Sequence, residues 1–316
     1  MEEYDYRVEA PLHQVGTFQY HQGINVSNQM PAILKTYRDA SAANEKRTEL
    51  ETQYDVLGRI QSPHFVKPRD LCETVLGPTL VFPALPISPL TRIHPDGVPD
   101  TERLILLSKQ MASALAALHG EGIQHGPMMP GGIWINTLTA TLLLLGFDDW
   151  QLCRQDVKSD LALHCQTEVL SHSCPEYLGL SHQITGESPD LYSLGTLFYC
   201  LAAGRPPFAA ESPSDFYHYH TAIVPPTLRE TNPRIPLFYS QVTEKLLEKS
   251  PSRRFQSVDE LCRDLEAYEN ACLEGHGDTF SLDLVQRHRA FATPKRPFGS
   301  DRDPRMIPDH GAAVSR

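Results

Sequence analysis

Side chains that could move a proton or hold a cation gather in two short stretches of the 316-residue chain. In HGPMMPGGIWIN (residues 125–136), His125 leads a turn that passes Pro130 and runs into an apolar strand; in LLGFDDW (144–150), Asp148 and Asp149 follow another apolar run. Between His125 and the strand there is no carboxylate, lysine or asparagine, so this turn lacks the groups that general-base or magnesium chemistry uses. A single lysine, Lys35, closes the apolar part of PAILKTY (31–37). Cysteine and histidine offer little to a metal. The seven cysteines, at 72, 153, 165, 174, 200, 262 and 272, form no C-x-x-C pair. His218 and His220, two apart, point to different faces of a helix and read as surface residues.

The elements around these residues follow from pattern and charge. A hydrophobic fraction of 41% supports a sizeable core, while a net charge of -11 and an isoelectric point near 5.7 argue against nucleic acid as a partner. The opening MEEYDYRVEA has neither a basic flank nor an apolar core, and no run approaches the roughly 18 apolar residues of a membrane span. The expectation is a cytoplasmic chain with reduced thiols and no membrane partner.

Residues 1–87 read as a small, mostly β unit with one crossing helix. Its strands are PAILKTY and the strand-turn-strand TVLGPTLVFPAL (74–85), and its helix carries Ala43, Leu50, Tyr54 and Leu57, with Gly58 as the stop. Residues 88–275 read as mainly helical. Asp100 caps a helix with Leu104, Leu107, Met111, Leu115 and Leu118 on one stripe; two short strands, GIWIN and TLLLLGF, follow. In SPDLYSLGTLFYCLAAG, Ser188 reads as N-cap, Pro189 as the first helical residue and Gly204 as the residue past the end. This helix is apolar all round and so belongs inside the unit. Further helices fit 238–249 and 257–270, the second opening with a Ser257 to Glu260 capping box. Residues 276–316, polar and rich in proline, read as a flexible tail.

Three ordered motifs now carry a resemblance. CPEYLG (174–179), SPDLYSLG (188–195) and SPSRRFQSVDEL (250–261) resemble the A-P-E segment, the D-x-W-S-L-G segment and the last loop of protein kinases, over roughly residues 12–270. The wording is most similar to the amino-terminal kinase-like domains of bacterial and fungal hybrid histidine kinases. The resemblance implies an α+β, two-lobed protein kinase-like fold. It also implies two structural contacts: Glu176 with Arg254, and Asp190 with the backbone of the turn at His125.

The same resemblance assigns the site, position by position. Lys35 takes the strand-lysine place, and Gln53 takes that of its helix partner, where kinases carry a carboxylate; Glu49 or Glu51 substitutes only if the helix is turned. Phe82 to Leu85 is the hinge. Gly16 and Gly23 do not make the glycine-rich cover over phosphates. Pro127 stands at the base position, Met129 at the lysine position, Gly132 at the metal-binding amide and Gly146 at the metal-binding aspartate. Phosphoryl transfer depends on those groups for positioning and charge. The expectation is therefore a pseudokinase, a regulatory or interaction module with a protein partner in signalling, holding no cofactor or ATP without metal. The alternative is a divergent ATP-binding serine/threonine kinase that recruits Asp148 or Asp149 for metal; separately, the blandest reading of Lys35 is a solvated strand lysine.

Overall fold

The computed structural model describes residues 4–38, 47–98, 100–146, 167–180 and 186–283. The smaller lobe is a five-stranded antiparallel sheet built from β1 (Tyr6–Val15), β2 (Phe18–Asn25) and β3 (Pro31–Tyr37), with one helix, α1 (Arg47–Arg59), between β3 and the pair β4 (Asp70–Thr74) and β5 (Gly77–Pro83). The strand order is β1-β2-β3-β5-β4. Because side chains alternate across a strand, β3 serves both faces. Ala32 and Leu34 join Tyr6 and Val81 on one side, while Ile33 and Tyr37 join Phe18, Tyr20 and Phe82 on the other. Leu50, Val56 and Leu57 bury the inner stripe of α1.

Two details differ from the sequence reading. Gly58 lies inside α1, which runs on to Arg59; Ala43 lies outside the described residues. The strands β1 and β2 escaped notice because β1 is an edge strand whose register shifts around Pro11 and His13, which breaks the period-two pattern.

The larger lobe begins with β6 (Ile87–Pro89) and α2 (Leu90–Ile93), followed by α3 (Thr101–Gly120), where the Asp100 carboxylate accepts from the Arg103 amide at 3.0 Å. β7 (Ile133–Asn136) sits between β6 and β8 (Leu142–Leu144) in a three-stranded sheet. The helices α4 (Thr167–Ser171), α5 (Ser188–Ala203), α6 (Pro213–Ala222), α7 (Leu228–Thr231), α8 (Leu237–Leu246) and α9 (Val258–Leu273) complete it. Every residue of α5 from Pro189 to Leu201 is buried, as its all-round apolar pattern requires. Its cap is Glu187 rather than Ser188, and Gly204 ends it in the left-handed conformation, φ 70°. Gly204 also meets Gly97 backbone to backbone: a Cβ on Gly97 would stand 2.7 Å from the Gly204 nitrogen.

Three further expectations are corrected. At Ser257 only half a capping box forms: the hydroxyl accepts from the Glu260 amide at 3.2 Å, but the Glu260 carboxylate accepts from Gln256 N instead. His220 is buried, its Nδ1 3.0 Å from the Tyr192 hydroxyl, because α6 turns that face onto α5. Residues 276–283, expected to open a tail, pack onto α8 and α9. There Phe280 stands against Phe238 and Tyr268, Leu282 is buried, and the Leu282 amide donates to Gln241 Oε1 at 2.9 Å. The rest of that expected tail, 284–316, lies outside the described residues. Among the described residues, no helix is long and apolar enough to cross a membrane.

Candidate active site

The floor of the interlobe cleft is set by charges buried in the larger lobe. Asp190, in the first turn of α5, is wholly buried and accepts from the amides of His125 at 2.7 Å and Gly126 at 2.8 Å, which fixes the turn before Pro127. His119, in the last turn of α3, donates from Nε2 to the same carboxylate at 2.8 Å and faces Glu187 through Nδ1 at 3.1 Å. Burial alone would pull this imidazole down, but the hydrogen bond and charge of Asp190, then those of Glu187, outweigh it and hold its pKa above the usual value. Ser193 Oγ, one turn along α5, accepts from the Met128 amide at 2.5 Å. Neither His119 nor Ser193 was singled out in the sequence.

A second buried contact ties the far end. The Arg254 guanidinium grips Glu176 bidentately, at 2.6 and 3.0 Å. It also donates to the carbonyls of Ser188, Glu248 and Lys249 and lies over the Tyr192 ring, 4.8 Å from its centroid. A fork that satisfies this many acceptors offsets much of the desolvation that burying two charges costs.

The roof of the cleft is the inner face of β2 and β3. Lys35 is fully buried, which excludes the solvated-lysine reading. Its Nζ donates to Gln53 Oε1 on α1 at 3.0 Å and sits over the Phe18 ring, 3.9 Å from the centroid. The helix position that the resemblance assigns to a carboxylate thus holds an amide, placed within hydrogen-bond reach of the lysine. Glu49 is buried on the same helix, while Glu51 is exposed and paired with Arg47. The β1–β2 turn contains Gly16 at φ 50°, and Gly23 lies inside β2 against Leu34, so the two glycines serve different ends of the hairpin.

The four positions that the resemblance assigns to catalysis, Pro127, Met129, Gly132 and Gly146, carry no side-chain oxygen. Pro127 and Met129 are buried, and Gly132 closes a single helical turn with Pro130 and Gly131. Gly146 has φ 129°, and a Cβ placed there would come within 2.5 Å of Gln53 Oε1 and 2.7 Å of Lys35 Nζ. An aspartate at this position would have to displace the ends of the Lys35 and Gln53 side chains. The residues at Pro127, Gly132 and Gly146 therefore do not fit a magnesium-bound nucleotide. Asp148 and Asp149 lie outside the described residues. At the hinge, Phe82 is buried, and the Leu85 carbonyl accepts from Ile87 N at 2.8 Å.

Comparison with known proteins points one way. The family described as "Protein kinase domain" matches residues 16–265. A segment of 103 residues is 39% identical to hybrid signal transduction histidine kinase G of Dictyostelium discoideum, covering 33% of this chain and 3% of that protein. The serine/threonine-protein kinase pkn2 of Myxococcus xanthus is 28% identical over 274 residues, covering 84% of this chain and 32% of pkn2. The chain thus spans a third or less of the length of either relative. Among solved structures, the kinase domain of Mycobacterium tuberculosis PknI superposes with a TM-score of 0.62 at 18% identity, covering 83% of this chain and 96% of that one, a likeness of fold alone.

Proposed function

Because the chain belongs to the protein kinase domain family, we propose that it is a pseudokinase, a regulatory or interaction module that uses the fold and not phosphoryl transfer. One observation carries the reading: at Gly146, which the resemblance assigns to the metal-ligand position, there is no side chain to bind a cation, and Lys35 Nζ and Gln53 Oε1 lie within 2.7 Å of where a Cβ would stand. Pro127 at the base position adds to it. A missing general base alone lowers rates by about 10²–10⁴, and missing metal coordination removes several kcal/mol of charge stabilisation. The likeness of one segment to a hybrid signal transduction histidine kinase supports a place in signalling; a protein partner and a cytoplasmic location are part of the proposal.

The test is direct. Purified protein incubated with labelled ATP, Mg²⁺ or Mn²⁺ and generic serine/threonine substrates is expected to incorporate no phosphate above a Lys35→Ala control. Incorporation that Lys35→Ala abolishes overturns the proposal. A second reading rests on the names of the relatives, which include serine/threonine-protein kinases: transfer with Asp148 or Asp149 holding the metal. Under it, Asp148→Asn or Asp149→Asn abolishes incorporation while the fold persists.

A further inference from the structure

The cleft between the lobes contains a ring of the protein's own. Trp134 rises from β7 in the larger lobe and is completely buried. Its indole meets two rings from the smaller lobe edge to face: Tyr20 on β2 at 5.2 Å and His13 on β1 at 5.4 Å between centroids. Tyr20 pairs with Lys35 across the β2–β3 ladder and so shares its inward face. The indole and the buried lysine therefore share Tyr20 as a neighbour. His13 Nε2 lies 3.0 Å from the Gly131 carbonyl, and Arg92 on α2 donates to the Leu12 carbonyl at 3.3 Å, so two adjacent residues of β1 are tied to the larger lobe. Val15, Phe18, Tyr20 and Ile33 above belong to the same continuous apolar cluster as Ile133 and Trp134 below.

Some polar groups at the hinge and just past it are withdrawn from a ligand. Pro83 and Pro86 have no N–H to donate. The carbonyls of Leu85 and Pro86 already accept from Ile87 N and Thr137 N, each at 2.8 Å. An aromatic ring that buries this much surface, met edge-on by two others, stabilises the closed arrangement without any small molecule.

We propose that Trp134 is a built-in plug: its indole fills the space that a planar heterocycle would need between β2–β3 and β7, and it holds the two lobes shut in the absence of any ligand. The plug concerns what fills the cleft, whereas the pseudokinase reading concerns metal and base positions, and the two fail separately. Adenosine binding without phosphoryl transfer ends the plug and leaves the other standing.

The experiment compares wild type with Trp134→Ala by thermal shift, using adenosine, ATP without metal and indole as probes. Wild type is expected to show no shift with any of them. Trp134→Ala is expected to melt lower and to recover part of the loss with indole, which refills the vacated space. A shift of wild type by adenosine or ATP overturns the proposal, as does a folded Trp134→Ala protein that indole leaves unmoved. If the alanine variant does not fold, the Trp150→Phe protein leaves Trp134 as the only indole, since the chain has two tryptophans. Blue-shifted emission protected from acrylamide, and unchanged by adenosine, supports the plug. Quenching as strong as that of free tryptophan overturns it.

Discussion

The larger lobe and the interlobe cleft treat buried polarity in opposite ways. In the larger lobe each key charge is kept and surrounded: Glu176 by the Arg254 fork, Asp190 by two amides and His119. In the cleft the positions that the resemblance assigns to catalysis hold Pro127, Met129, Gly132 and Gly146, and Tyr20 meets Trp134 edge to face. The difference shows that two kinds of charge coexist in this fold. A structural carboxylate cannot be dropped alone, because its partner would be left buried and uncompensated. A catalytic carboxylate in an open cleft has no such hold on its neighbours, so it can vanish and let apolar side chains close in.

Perturbing each region tests that contrast. The largest effect is expected from Arg254→Met, which leaves Glu176 buried without its fork and should cost about 3–5 kcal/mol in urea unfolding. Adding Glu176→Leu should restore most of that, and a single-mutant cost below about 1 kcal/mol would erase the contrast.

Next comes acid. Burial pushes both His172 and His220 down to about 3, with Lys249 and His172 adding to the depression of His220. Their folded pKa lies below the unfolded value of 6.5. The unfolded chain therefore takes up protons first; stability is full above pH 6.5 and drains as pH falls toward 3. One unit below 6.5, the two together should cost about 3 kcal/mol. Replacing both with glutamine should flatten that dependence between pH 7.5 and 5.5.

In the cleft, Gly146→Asp must accept a left-handed backbone and push aside Lys35 and Gln53. It should lose about 2 kcal/mol and gain no magnesium-dependent thermal shift with ATP. Turnover in this variant would mean that the cleft is one aspartate short of an enzyme. The smallest change is expected from Gln53→Glu, which gives Lys35 a charged acceptor and should move stability by no more than about 1 kcal/mol, read from the urea midpoint.

Much of the scaffold could be read in advance because its signals are local. The Asp100 cap and the apolar circumference of α5 are written within a single turn or helix. The Glu176–Arg254 contact came from motif wording, and its geometry matches that assignment. The cleft was harder to read. The tryptophan of GIWIN registers only as part of a short apolar strand, since Ile133, Trp134 and Ile135 are all buried and such a run does not tell what lies opposite. Whether Lys35 is solvated or enclosed depends on Phe18, Tyr20 and Gln53, which lie on other elements. His220 looked exposed because the small polar face of α6 gave no sign that α5 covers it.

The Glu176–Arg254 fork also bears on how the chain emerges from a ribosome. The two residues lie 78 positions apart, and the carboxylate comes first. Until the arginine appears, the segment around Glu176 has no counterion to bury with it, so the carboxylate must wait in water. The Glu176–Arg254 contact thus cannot form until translation has passed residue 254, and a nascent chain halted short of that point leaves the Glu176 carboxylate without this partner.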